Sequence, residues 1–87
     1  MGNVMRAKFI VNGVVPHKNH EGELVSEELY MSAVSKSEGY ESDGLDEDNT
    51  FAVFSPAGNL SITIANPALH GKFNVGEKYY MDFTKAE

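Results

Sequence analysis

Residues 56–71, PAGNLSITIANPALHG, contain a turn, a strand and a helical turn in succession. Apolar residues alternate with small residues across positions 60–65, and this period of two indicates a strand with one apolar face. The preceding Pro56-Ala57-Gly58-Asn59 favours a tight turn, because proline fixes φ and Gly or Asn tolerates positive φ. After the strand, Asn66 suits an N-cap, Pro67 the first helical position and Gly71 the end of one helical turn.

The same alternation predicts four further strands along the chain. They are residues 5–12, 29–34, 51–54 and 78–84, of which 51–54 is apolar on both faces and is predicted to be central. Asn12-Gly13 predicts a turn after the first strand, followed by a polar loop over residues 16–22. Residues 24–35 leave an alternative open, since Ser26-Glu27-Glu28 also fits a helix N-cap followed by acidic residues in the first turn.

Five strands and one short helical turn before the last strand predict a mainly β fold, a small five-stranded barrel. An SH3-like topology is favoured because the loops follow its order, namely 13–22, 35–49, 55–59 and the helical turn at 67–71. An OB-fold would place a helix between the third and fourth strands, where this chain has only a short turn. A β-sandwich and an α+β arrangement are the further alternatives. The length of 87 residues fits a single domain.

The charge of the chain is concentrated in one segment. The net charge is −6, yet residues 21–48 hold ten acidic residues against one base, Lys36, and the rest of the chain is weakly positive. This balance argues against binding of nucleic-acid backbones, which depends on Lys and Arg. The acidic segment is interpreted either as a solvated loop that keeps the protein soluble or as a patch that meets a basic partner. The candidate partner-binding residues are Glu41, Asp43, Asp46, Glu47 and Asp48.

No catalytic, cofactor-binding or metal site is predicted. Cysteine is absent, and the chain contains no Gly-x-Ser-x-Gly turn and no Gly-rich phosphate loop. His17, His20 and Glu21 could in principle form a zinc triad, but they lie in the predicted loop without a helix to fix them. Residues 43–48 fail the calcium-loop pattern, because Leu45 occupies its third position. The sequence therefore predicts a protein that is not an enzyme and has no cofactor.

The aromatic residues and the apolar runs bear on possible partners. Tyr79 and Tyr80 must face opposite sides of a strand, so one of them is predicted to be exposed. Such a residue can anchor a protein interface or stack on a nucleic-acid base, and the scarcity of cations favours the protein interface. No apolar run is long enough for a membrane span or a signal peptide, and no membrane partner is predicted.

Three stretches resemble a group of small, mostly uncharacterised proteins of tailed bacteriophages. They are Met5 to Phe9, Glu47 to Leu60, and the final segment FNVGEKYYMDFT at residues 73–84, which matches that group's pattern F-x-x-G-x-x-Y-Y-x-D-F-T. Residues 13–28 and 35–46 lie outside the resemblance. Because Met5 coincides with the usual start in that group, residues 1–4 are predicted to be a leader before a domain at 5–87.

The resemblance implies a phage origin and transfers no catalytic residue. The leading hypothesis is a non-enzymatic virion component, such as a capsid decoration or head-tail accessory protein, located in the virion or the host cytoplasm. Its partner would be a phage shell or connector protein, and a homo-oligomer is possible within this hypothesis. The alternatives are an acidic inhibitor that imitates nucleic acid toward a basic host protein, and a single-stranded nucleic-acid binder on an OB-like barrel.

Overall fold

The computed structural model describes residues 4–37, 39 and 42–87. It contains four strands, β1 (Met5–Lys18), β2 (Leu24–Ala33), β3 (Asn59–Ile64) and β4 (Lys78–Phe83). They form one antiparallel sheet in the order β3-β2-β1-β4, with a 3-10 helix at Pro67–Leu69 before the last strand. Of the leader predicted at residues 1–4, only Val4 is described, and its N–H donates to the Phe83 carbonyl.

The predicted five-stranded barrel, SH3-like or OB-like, is not confirmed, because the described strands form an open sheet whose edges are β3 and β4. The central strand predicted at 51–54 is wrong: this segment makes only one isolated bridge, between Leu45 and Val53. Phe54 has a φ of 64°, which interrupts any extended run. Its ring lies so close to Gly44 that a Cβ there would be 2.7 Å from it. Local packing of Phe54 thus replaces the strand with a turn.

The long hairpin of β1 and β2 forms the centre of the sheet. Asn12-Gly13 was expected to be a turn, but it is a bulge inside β1, where the register shifts between Val11 and Gly13. The chain turns later, at Asn19, whose side-chain oxygen accepts from the N–H groups of Glu21 and Glu23. His17 therefore belongs to β1 rather than to a loop.

Residues 24–33 form a strand, so the helix considered for residues 24–35 is not observed. β2 pairs with β1 on one side and β3 on the other, and burial of Leu29 and Met31 follows the strand period of two. Glu27, which would have lain in the first helical turn, accepts a hydrogen bond from the Gly71 N–H. Tertiary pairing on both sides outweighs the local helix signal.

One face of the sheet carries the apolar core and is called the inner face. Its buried members come from three strands and are Ala7, Phe9, Val11, Leu29, Met31 and Ile64. The connection 65–77 runs across this face from one edge strand to the other, with Gly76 donating to the Val11 carbonyl. The 3-10 helix in this connection confirms the predicted helical turn, since the Asn66 side chain accepts from the Ala68 N–H.

The molecule is elongated and thin. Its radius of gyration is 15.7 Å and its extents are 55 × 32 × 16 Å. A compact domain of this length would have a radius of gyration of about 12 Å. The single sheet therefore leaves a large part of its surface, and both of its edges, accessible to partners.

Candidate functional site

A loop takes the place of β2 where that strand ends. Beyond Ala33, the Val34 N–H donates to the Lys8 carbonyl over 2.9 Å. The Lys8 N–H donates to Asn49 Oδ1 over 2.7 Å. The Thr50 N–H donates to the Arg6 carbonyl over 2.9 Å. Residues 34, 49 and 50 thus continue the hydrogen-bonded ladder along β1 and attach the loop to the sheet at this point.

Asn49 and Asp46 hold this loop together from inside. Asn49 is fully buried, and its Nδ2 donates to the Val34 carbonyl over 2.8 Å and to Asp46 Oδ2 over 3.1 Å. Asp46 is 2 % exposed and also accepts from the N–H groups of Lys36 and Asp48. Of the predicted partner-binding residues, Asp46 therefore has its carboxylate inside the loop, where it organises the backbone.

Two more of the predicted residues form ion pairs with lysines of this chain. Glu47 lies 3.0 Å from Lys36 Nζ, and its side chain is 76 % exposed. Asp48 lies 3.4 Å from Lys8 Nζ, and both side chains are largely buried. The negative charge of this part of the loop is therefore partly compensated locally.

The last two predicted residues differ in what the structure shows of them. Asp43 is exposed, and its Oδ1 accepts from the Leu45 N–H over 3.0 Å in a local turn. Glu41 lies outside the described residues. The structure thus brings Asp43, Asp46, Glu47 and Asp48 into one loop, of which Asp43 and Glu47 present most surface.

The pKa values of two carboxylates of this loop, Asp46 and Glu47, lie below their ordinary values. Burial alone would raise the pKa of Asp46, but hydrogen bonds from the Asn49 side chain and from backbone N–H groups outweigh burial and lower it. A hydrogen bond with its own backbone N–H, then one with Lys36, lowers the pKa of Glu47. The folded loop therefore favours the ionised form of both groups.

We expect the loop to make the protein sensitive to acid. Because the pKa of Asp46 is lower in the folded than in the unfolded chain, its contribution to stability is complete above its unfolded value of about 3.9. That contribution is lost as the pH falls through the lower folded pKa. Urea unfolding at a series of pH values measures the loss. Asp46→Asn should be less stable at neutral pH and should lose less on acidification. An unchanged pH dependence in this variant would contradict the assignment.

At the end where β1 begins, no segment of the described ranges 4–37, 39 and 42–87 closes over the inner face. A shallow depression of about 200 Å³ is present there, lined by Met5, Ala7, Phe9, Phe51, Ala57, Gly58 and Phe83. Phe51 is 39 % exposed and Phe83 is 46 % exposed. The connection 65–77 contacts the sheet at the level of Val11 and Glu27, away from this end. We call this depression the open end of the sheet.

Sequence reasoning missed the open end for an identifiable reason. It assigned Phe51 to a central strand, where the ring would have been buried, whereas the loop places the ring at the rim of the sheet. Alternation along β4 does place the Phe83 side chain on the inner face. It does not show that no other segment in the described part of the chain covers this side chain. One feature of the sequence does point to this apolar site, because residues 51–58 contain no charged residue.

The opposite, outer face carries one exposed aromatic residue beside two cations. Tyr80 is 54 % exposed, whereas Tyr79 is half-buried against Phe73, so the prediction that one tyrosine is exposed is confirmed. The Arg6 guanidinium lies 4.8 Å from the centroid of the Tyr80 ring, and its Nε donates to Asp82 over 2.7 Å. Cation–π contact and ion pairing thus occupy Arg6.

No metal site is formed by the described residues. His20 is exposed and lies 3.8 Å from Glu21, while His17 is exposed on β1. No group of three or more metal-ligating side chains lies together in the described ranges. His70 follows the 3-10 helix as its C-cap residue, and its Nε2 lies 3.0 Å from the Ile64 carbonyl.

Within residues 4–37, 39 and 42–87, no helix has the length and apolar character needed to cross a membrane. Searches against family models, curated proteins and solved structures found no match.

Proposed function

We propose that the chain is a non-enzymatic virion component that docks on a phage shell or connector protein through the open end of its sheet. The observation that carries this proposal is the apolar depression between Met5, Phe51 and Phe83, which no other described residue covers. The phage setting is supported by the resemblance of residues 47–60 and 73–84 to small phage proteins.

Exposed apolar residues near the open end support a protein interface. Contiguous apolar surface on a small protein marks a site of association. Burying a half-exposed phenylalanine contributes about 2 kcal/mol, since such a side chain has about 200 Å² of surface and about half of it is accessible. The loop that carries Phe51 has three more apolar side chains that are each more than half exposed, namely Leu45, Val53 and Phe54.

The charge of the adjacent loop supports a partner with a basic surface. Glu47 and Asp43 are exposed on the same loop that carries Phe51, although neither residue lines the depression itself. Charges at the rim of an interface mainly accelerate association and fix orientation. A basic patch beside an apolar protrusion is the complementary surface expected on the partner.

We expect the protein to be stoichiometric with the shell or connector protein in purified particles, as measured by quantitative mass spectrometry. The double variant Phe51→Ser/Phe83→Ser should rebind at least about tenfold more weakly to particles that lack the protein, because about 4 kcal/mol of apolar burial is removed. Tyr80→Ser is the control, since it removes an aromatic ring that is still more exposed, at 54 %, from the outer face. Absence from particles, or equal binding by both variants, would overturn the proposal.

Single-stranded nucleic-acid binding is the second candidate, because Tyr80 is exposed beside Arg6 and Lys8. An aromatic ring next to cations is the arrangement that stacks bases. Both cations are already paired with carboxylates, Arg6 with Asp82 and Lys8 with Asp48. In the same set of variants this candidate requires oligonucleotide binding that is lost in Tyr80→Ser and kept in the phenylalanine double variant.

A further inference from the structure

The edge strand β3 lacks the features by which proteins protect a free edge. Edge strands are normally protected by charged residues, proline, a bulge or a covering segment. Residues 59–66, NLSITIAN, contain no charged residue and no proline. The register between β2 and β3 runs without a bulge from Glu27 opposite Ile64 to Ser32 opposite Asn59. Only Ile64 of this strand is buried.

No other described segment pairs with this edge. Among the described residues, no backbone hydrogen bond joins β3 to any strand except β2, and the contact beyond β2 is that of His70 with the Ile64 carbonyl. In an edge strand, alternate backbone N–H and C=O groups point away from the sheet. β3 therefore presents an edge that no further described strand pairs with, although His70 Nε2 lies 3.0 Å from the carbonyl of its last residue, Ile64.

The other edge of the sheet is different. β4 carries Lys78 and Asp82 within the strand, and Glu77 and Lys85 lie just outside it. Charged side chains of this kind oppose pairing with a further strand. The two edges of one sheet thus contrast, and the difference singles out β3 as the edge available for pairing.

We propose that β3 pairs antiparallel with β3 of a second copy of this chain, joining two sheets into one of eight strands. The edge is self-complementary about a two-fold axis. With Ile62 on the axis, Leu60 lies opposite Ile64 of the other copy and Ser61 lies opposite Thr63. With Ser61 on the axis, Leu60 lies opposite Ile62 and Asn59 opposite Thr63. Either register places apolar residues against apolar residues on the inner face and polar against polar on the outer face.

The charge distribution allows two acidic copies to meet at this edge. The protein has a net charge of −6, but the ion-paired acidic residues Glu47 and Asp48 contact Lys36 and Lys8. Lys8 belongs to β1, which is separated from β3 by β2. The uncharged strand β3 therefore lies apart from Glu47 and Asp48, and the carboxylate beside it, Glu28 of β2, accepts a hydrogen bond from the Thr63 hydroxyl over 2.8 Å. β3 itself offers no charge to attract a partner of opposite sign. A second copy of this chain can pair with the backbone groups of this edge without any attraction between opposite charges.

Cysteine cross-linking tests the pairing directly, because the native chain contains no cysteine. Directly opposite residues in an antiparallel pair have Cα atoms about 4.5–5.5 Å apart, within the range of a disulfide. We expect Ser61→Cys or Ile62→Cys, whichever lies on the axis, to form a covalent dimer rapidly on mild oxidation. Thr84→Cys, an exposed position beyond the other edge, is the control and should remain largely monomeric. Cross-linking of all three at the same rate would overturn the proposal.

A charge placed on the edge provides a second measurement. Ser61→Lys puts like charges close together across the axis in either register and should raise the dimer dissociation constant at least about tenfold in sedimentation experiments. Thr84→Lys changes the net charge equally and should leave the dimer intact. A wild-type monomer at all concentrations tested, or equal effects of the two lysines, would refute the pairing. A monomer that is present in particles would refute this inference alone, and a dimer absent from particles would refute only the proposed function.

Discussion

Replacement of Asn49 by alanine is expected to lower the free energy of unfolding by about 3 kcal/mol. The side chain is fully buried and joins β1 to the end of β2, because it accepts from the Lys8 N–H and donates to the Val34 carbonyl. Alanine would leave both backbone groups without this partner, and an unsatisfied buried polar group costs about 1–3 kcal/mol. Urea unfolding followed by circular dichroism measures the change.

Asn12→Ala is the matched control for this prediction. Asn12 is exposed, and its one described hydrogen bond runs from Nδ2 to the Ser32 hydroxyl over 2.8 Å. Its loss should cost less than about 1 kcal/mol. Amide hydrogen exchange should also accelerate at Lys8 in Asn49→Ala but not in Asn12→Ala. Equal destabilisation by the two substitutions would show that Asn49 does not bridge the strands.

Phe9→Ala is expected to lower the free energy of unfolding by about 3–5 kcal/mol. Phe9 is 8 % exposed in the middle of the inner face, opposite Ala33 on β2 and Tyr79 on β4. Its ring also reaches the turn before β3, where a Cβ on Gly58 would lie 3.5 Å from it. A domain of this length has a stability of only about 4–13 kcal/mol, so this single substitution should remove a large share of it.

Phe83→Ala removes the same ring from the same face and controls for loss of aromatic surface as such. Because Phe83 is 46 % exposed at the open end and only about half of its ring is buried, its removal should cost about 2 kcal/mol, less than the removal of Phe9. Thermal unfolding of both variants distinguishes a core residue from a surface residue. A larger loss for Phe83→Ala than for Phe9→Ala would mean that the open end is covered by the protein itself.

The strands whose bounds the sequence predicts most closely are β3 and β4, whose apolar residues alternate regularly onto the inner face. Residues 60–65 and 78–84 were predicted to within one residue at each end of the observed β3 and β4, because alternation reports a face packed against a core. The helical turn at residues 67–71 was also readable, since Asn66 and Pro67 act locally as cap and first residue. Signals carried by neighbouring residues are enough for such elements.

The errors lie where contacts distant in sequence decide the conformation. Residues 51–54 are as apolar as a central strand, but Phe54 adopts positive φ against Gly44 and the segment turns. Asn12-Gly13 has the composition of a hairpin turn, yet pairing with Met31 and Tyr30 on β2 carries the strand through it as a bulge. The predicted barrel depended on both features, and without them the sheet has no fifth strand to close it.

The predicted acidic site shows the same division. The sequence locates the acidic segment and its charge. It does not distinguish Asp46, a buried carboxylate that accepts four hydrogen bonds, from the exposed carboxylate of Glu47. Only the position of Asn49 beside the end of β2 determines which carboxylate turns inward.

By itself, the sequence determined that this protein is mainly β, that it contains a capped helical turn before its last strand, and that its charge is concentrated in one segment. Those properties follow from periodicity, backbone preferences and composition, which are local. Tertiary structure alone decided that the sheet is open, that Asp46 is internal, and that Phe51, Phe83 and the β3 edge are accessible. The physical reason is that burial and strand pairing depend on which distant segments of the chain pack against a residue. The residues next to it in sequence do not show which segments those are.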